Sequence, residues 1–127
     1  MKAPLERIRF SKAAKDQLIK LKRVTKIENW NTLCRWALCR SLAEPTPPST
    51  IIIPSDSNLE IEWQTLGGEM ADILLLALRQ RCHNENLLLD KETLAQQLRL
   101  HLHRGIAYLA AEIKDLPTLF SLAKLNN

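Results

Sequence analysis

Apolar and polar residues change their spacing along the chain, and each spacing predicts an element. Arg7-Ile8-Arg9-Phe10 alternates polar with apolar, the period-two pattern of a short half-buried strand. Ile8 and Phe10 face a core in that reading, and Arg7 and Arg9 face outward together. Ser11 then suits an N-cap, and a helix is expected to about Arg23 with Ala14, Leu18 and Leu21 as its apolar positions. After a break at Thr25-Lys26-Ile27, a second helix runs from about Asn29 or Asn31 to Ala43. Its stripe is Trp30, Leu33, Cys34, Ala37, Leu38 and Leu42, a 3.6-residue period. Trp36 lies off the stripe and is a candidate contact for another helix or subunit.

Pro45, Pro47 and Pro48 end that helix and open a connector. Ile51-Ile52-Ile53 and Leu59-Glu60-Ile61-Glu62-Trp63 read as two short strands, with residues 54–58 as turn material between them. The second of these alternates, placing Glu60 and Glu62 on a wet face where charge discourages aggregation. Gly67-Gly68 reads as a tight turn opening an apolar helix from about Glu69 to Cys82, whose extra leucines suggest burial on more than one side. Asp90 starts a last long helix with Leu94, Leu98, Leu102, Ile106, Leu109 and Ile113 on one stripe. Pro117 interrupts it, and a short helix through Leu119, Phe120 and Leu122 follows. The expected fold is therefore mainly α. A ribbon-helix-helix-like strand-helix-helix comes first, then short β segments, then a helical C-terminal half. Residues 1–127 are expected to form a single domain in three parts, 1–43, 44–66 and 67–127.

Charge divides along the same boundary. The net charge is +4. Residues 1–40 carry 11 Lys/Arg against 3 Asp/Glu, whereas residues 41–127 carry 7 against 11, so +8 is set against −4. A polyanion partner for the first third is the reading this asymmetry supports. The candidate DNA-binding residues are Arg7, Arg9, Lys12, Lys15, Lys20, Lys22, Arg23 and Lys26. Arg7 and Arg9 have the parity of outward ribbon side chains, which in ribbon readers meet DNA. The start of the second helix, near Asn29-Trp30-Asn31-Thr32, is a further candidate phosphate clamp through its free amides.

Other chemistries lack a pattern. No apolar run approaches the roughly 20 residues of a membrane span, and the N-terminus lacks an apolar signal region. Three widely spaced cysteines, Cys34, Cys39 and Cys82, fit reduced cytoplasmic thiols better than a disulfide framework. Cys82-His83 with His101 and His103 makes a poor metal set, because histidines two apart on a helix point to different sides. Gly67-Gly68 matches no phosphate-loop motif, and no nucleophile-base set has a local signature. No catalytic residue, metal or cofactor is expected.

Six ordered pieces resemble one family. They are Arg7-Ile8-Arg9-Phe10-Ser11-Lys12, Asn31-Thr32-Leu33-Cys34-Arg35-Trp36-Ala37-Leu38, Ser41-Leu42-Ala43-Glu44-Pro45, Thr65-Leu66-Gly67-Gly68-Glu69, Leu78-Arg79-Gln80-Arg81-Cys82 and His101-Leu102-His103-Arg104-Gly105. Together they resemble the DndE family of the bacterial DNA phosphorothioation system, over about residues 6–123. The family usually has Leu-Gly-Glu where this chain has Leu66-Gly67-Gly68-Glu69, so the turn is expected to be one residue longer. The resemblance implies a small DNA-binding subunit that favours nicked duplex, assembles as a homotetramer and leaves sulfur mobilisation to other proteins. It carries no fixed catalytic residue to a position here. The expected partners are thus double-stranded DNA, other DNA sulfur-modification proteins and further copies of the chain.

Two other readings compete. One is a ribbon-helix-helix regulator that reads an operator through Arg7 and Arg9. The other is an assembly scaffold without DNA contact, supported by the leucine-rich second half and by Trp36 and Phe120. The strand at residues 7–10 needs a partner, since an isolated strand is unstable. Another chain or the strands within residues 51–63 can supply it.

Overall fold

A computed structural model describes residues 1–114. The expected break at Pro117 and the helix through Leu119, Phe120 and Leu122 lie outside the described residues.

The strand at the N-terminus finds its partner inside the chain. β1, Arg7–Arg9, pairs antiparallel with β2, Glu60–Glu62, in the register Arg7 to Glu62, Ile8 to Ile61 and Arg9 to Glu60. Phe10 N–H donates to Leu59 O at 3.0 Å and Trp63 N–H to Glu6 O at 2.8 Å, so both ends of the ladder are extended. The alternation does what it implies: Ile8 and Ile61 are buried and the four charged residues are exposed.

α1, Lys12–Thr25, starts as expected, with the Ser11 hydroxyl accepting from Ala14 N–H at 3.1 Å. It runs two residues past Arg23, because Thr25 is buried and donates its hydroxyl to Leu21 O at 2.6 Å. Lys26 ends it in the left-handed conformation (φ 63°), its N–H on Lys22 O. α2, Trp30–Ala43, is capped by Asn29. It buries Leu33, Cys34, Ala37, Leu38 and Ser41, leaving Trp30, Trp36 and Leu42 half-buried.

Two expectations in the middle of the chain need correction. Ile51-Ile52-Ile53 is not a strand. Three consecutive isoleucines have no alternation and hence no face to bury, and Ile52 is 96% exposed. Gly67-Gly68 closes one helix before it opens another: Trp63 leaves β2 directly into α3, Trp63–Gly67. A 3₁₀ turn over Gly68–Met70 then leads into α4, Ala71–Asn84. The turn itself is as expected, and Gly68 adopts φ 53° and ψ −134°, a conformation that favours glycine.

α4 is also less buried than its leucines suggest. Leu74, Leu75, Leu78 and Cys82 face the core, but Ile73 and Leu76 are exposed, Ile73 by 59%, as is Met70 just before the helix. α5, Lys91–Glu112, is capped by Asp90 and buries the whole expected stripe through Ile113. It crosses α2 at backbone contact: a Cβ on Gly105 would lie 1.8 Å from Ala37 O. Only glycine permits that approach. The buried cluster draws on β1, β2 and all five helices, with Trp63 and Phe10 its largest fully enclosed side chains.

Candidate nucleic-acid interface

At 100° per residue, α1 turns Ala14, Leu18 and Leu21 inward and leaves Lys12 and Arg23 opposite them. Lys12, Arg23 and the cap residue Lys26 are exposed, and Asp16 is the acidic residue among them. Lys15 and Lys22 lie on one flank. There the Lys15 ammonium donates to the Asn58 side chain, and that of Lys22 stands 4.3 Å over the Trp30 ring. Lys20 lies on the other flank and donates to Ala110 O at 2.9 Å. Among the described residues, none of these six cations enters an ion pair.

Arg7 and Arg9 sit elsewhere, on the outer face of the two-stranded sheet. Arg7 is opposite Glu62, and Arg9 is opposite Glu60 with its guanidinium 3.5 Å from that carboxylate. Opposite charges at facing positions stabilise a strand pair and cancel much of its field. The structure thus brings together the α1 cations and sets Arg7 apart on a nearly balanced patch, while Arg9, also facing Glu60, reaches Ser57 O at 3.0 Å beside the start of α1. The expected clamp at the start of α2 is partly filled, since the Asn29 side chain already accepts from Asn31 N–H at 2.8 Å.

Three features have no local sequence signal. The connector lies against the start of α1: Asp56 accepts from Lys12 N–H at 2.7 Å and the Ser57 hydroxyl donates to Phe10 O at 2.6 Å. Arg99 joins the same junction, donating to Ile53 O, Ser55 Oγ and Arg9 O at 3.0–3.2 Å. His103 bolts α5 to α1, with Ser11 N–H donating to its Nε2 at 3.1 Å and its Nδ1 bonded to Arg99 O at 2.8 Å.

Nucleophilic chemistry has poor footing here. Burial pushes the Cys34 thiol up to about 12 and raises Cys39 and Cys82 as well, away from the reactive thiolate. Ser41 and His101 form a hydroxyl–imidazole pair at 2.8 Å, but both are fully buried. Burial first, then Arg104 and Arg81, pull His101 down to about 4. Among the described residues no three His, Cys, Asp or Glu side chains gather to hold a metal ion, and no helix is long and apolar enough to cross a membrane. The interface can attract a polyanion through ammonium and guanidinium groups.

The model of the family described as DNA sulphur modification protein DndE matches residues 7–115. The chain belongs to the DndE family. Solved DndE structures are similar to it. The crystal structure of DndE from Escherichia coli B7A, described as involved in DNA phosphorothioation modification, superposes with a TM-score of 0.71 at 27% identity, covering 86% of this chain and 99% of that one. A DndE mutant involved in DNA phosphorothioation gives a TM-score of 0.64 at 28% identity, covering 83% and 96%. No curated protein matches the chain. The match begins at β1 and takes in every element described above, so the cationic α1 lies within the DndE fold.

Proposed function

We propose that this DndE-family protein is a DNA-binding accessory subunit of the DNA phosphorothioation system, holding duplex DNA, nicked duplex in particular, without catalysing a reaction. The observation that carries this reading is the open face of α1, where Lys12, Arg23 and Lys26 are exposed and have no ion-pair partner among the described residues. Lys15, Lys20 and Lys22 flank it, and Arg7 and Arg9 contribute from the sheet face. The protein works in the cytoplasm, where its three free cysteines stay reduced. Ile73 and Leu76 on α4, with Met70 just before it, support assembly with further copies, as a tetramer, or docking on other sulfur-modification proteins.

Titration of nicked, intact and random duplexes at several salt concentrations tests this. Binding should weaken with salt, the log–log slope being about −0.9 per phosphate neutralised. A flat response removes the DNA reading, and equal affinity for nicked and intact duplex removes the nick preference. Sedimentation at micromolar concentration tests the assembly, which a monomer would refute. The operator-reading alternative has less support, because β1 is paired within the chain and its arginines face Glu60 and Glu62. Strong preference for one intact sequence would restore it.

A further inference from the structure

Residues 54–58 lie across the start of α1, yet none of them is buried. Their tie to the rest of the molecule is polar, and three of its bonds are alike. The Asp56 carboxylate accepts from Lys12 N–H at 2.7 Å, the Asn58 amide oxygen accepts from the Lys15 ammonium, and Ser57 O accepts from the Arg9 guanidinium at 3.0 Å. A first-turn helix amide, an ammonium and a guanidinium are the donors that a phosphodiester uses on a protein surface. Here in-chain oxygens fill all three. At its ends the segment is held independently of these donors. Arg99 holds Ile53 O and Ser55 Oγ, and Leu59 O accepts from Phe10 N–H. Between those ends the Ser57 hydroxyl also donates to Phe10 O at 2.6 Å, so release breaks this bond too, but none of residues 54–58 is buried and the stretch can swing away without opening the apolar core.

We propose that residues 56–58 are an in-chain competitor for DNA phosphate, which occupies the Lys12 amide, Lys15 and Arg9 in the free protein and is displaced when duplex binds. This rests on the DNA-binding reading above. Displacement costs the in-chain bonds, so the resting contact lowers affinity and favours DNA that reaches several α1 cations at once.

Asn58 makes the test clean, because it is uncharged and exposed. Removing it frees Lys15 without altering the long-range field. Fluorescence anisotropy of a labelled duplex is measured for the full chain in the wild type, Asn58→Ala, Lys15→Met and the double variant. Asn58→Ala should bind about three- to tenfold tighter, the worth of one charge-assisted hydrogen bond no longer broken. In the Lys15→Met background the same change should do nothing. Unchanged or weaker binding by a natively folded Asn58→Ala protein overturns the competitor, as does an equal gain in both backgrounds. Asn58→Ser, whose shorter side chain cannot reach Lys15, repeats the test if the alanine variant melts early. Absence of salt-dependent binding by the wild type is a different result: it removes the DNA reading itself, and the competitor falls with it.

Discussion

The exposed cations of α1 and two arginines of the later helices, Arg81 on α4 and Arg104 on α5, do opposite work. Lys12, Arg23 and Lys26 point into solvent. Arg81 and Arg104 turn back onto the end of α2, where carbonyls have no helical partner. Arg81 donates to Leu42 O, Pro45 O and Thr46 O, while Arg104 donates to Ser41 O, Thr46 O and the Ser41 hydroxyl, all at 2.6–3.2 Å. A planar guanidinium with five N–H donors suits several fixed carbonyls, and a flexible ammonium suits a mobile anion. Formal charge counts both sets alike. The difference teaches that availability, more than the +8 of the first 40 residues, marks out a candidate interface. Arg7 and Arg9 count toward that +8, yet they face carboxylates.

The largest effect expected from breaking this contrast is on stability. Arg104→Met removes three charge-assisted hydrogen bonds at once and should cost about 2–4 kcal/mol in urea unfolding, although Ser41 O keeps Glu44 N–H, Thr46 O keeps Arg81 and the Ser41 hydroxyl keeps His101. A loss below about 0.5 kcal/mol would mean that the guanidinium is merely decorative. Next comes the simultaneous reversal Lys12→Glu, Arg23→Glu and Lys26→Glu. It should weaken duplex binding on the order of 100-fold at about 0.1 M salt and flatten the salt slope, with little change in melting temperature. Unchanged affinity would place the interface elsewhere.

The arginine cluster also predicts a pH response. His101 sits at its centre with a pKa near 4, below the ordinary 6.5. Between those values the unfolded chain holds a proton that the folded chain lacks, so this contribution to stability is full above pH 6.5 and is lost as pH falls toward 4. Thermal melting from pH 7 to 4 should show a decline that His101→Gln makes shallower, and a parallel decline in both proteins would assign it to other groups. The smallest effect is expected on the sheet face. Replacing Arg7 and Arg9 together by Gln should cost duplex affinity no more than about threefold, since Glu62 and Glu60 already offset them and the change also removes the bond by which Arg9 holds Ser57 O. A loss matching the α1 reversal would return the sheet to the centre of the interface.

Periodicity made much of this legible. The Ser11 cap, the faces of β1, the stripe of α2 and the long stripe of α5 are local patterns, and the folded chain keeps them. Ile51-Ile52-Ile53 misled because β propensity without alternation offers no side to bury. Gly67-Gly68 marked a turn but not which helix it served. The partner of β1 lies some 50 residues away, and no spacing near Arg7 encodes it. The contacts of Arg81, Arg99 and Arg104 were invisible for the same reason. They sit off the apolar stripes, where a sequence reader assigns them to water. Among the candidate cations, those of α1 were separable from Arg7 and Arg9 only once the Glu60 and Glu62 register was known.

The crossing at Gly105 has a mechanical consequence. Where the backbones of α2 and α5 touch, no layer of side chains is left to slide, so the two helices behave as one frame. α1 is fastened to that frame at Ser11 through His103 and at Lys20 through Ala110 O. The positions of its charges are therefore set by a joint with no side-chain layer to give. The exposed tips of Lys12, Arg23 and Lys26 sweep through solvent, but the row from which they spring is fixed to the core.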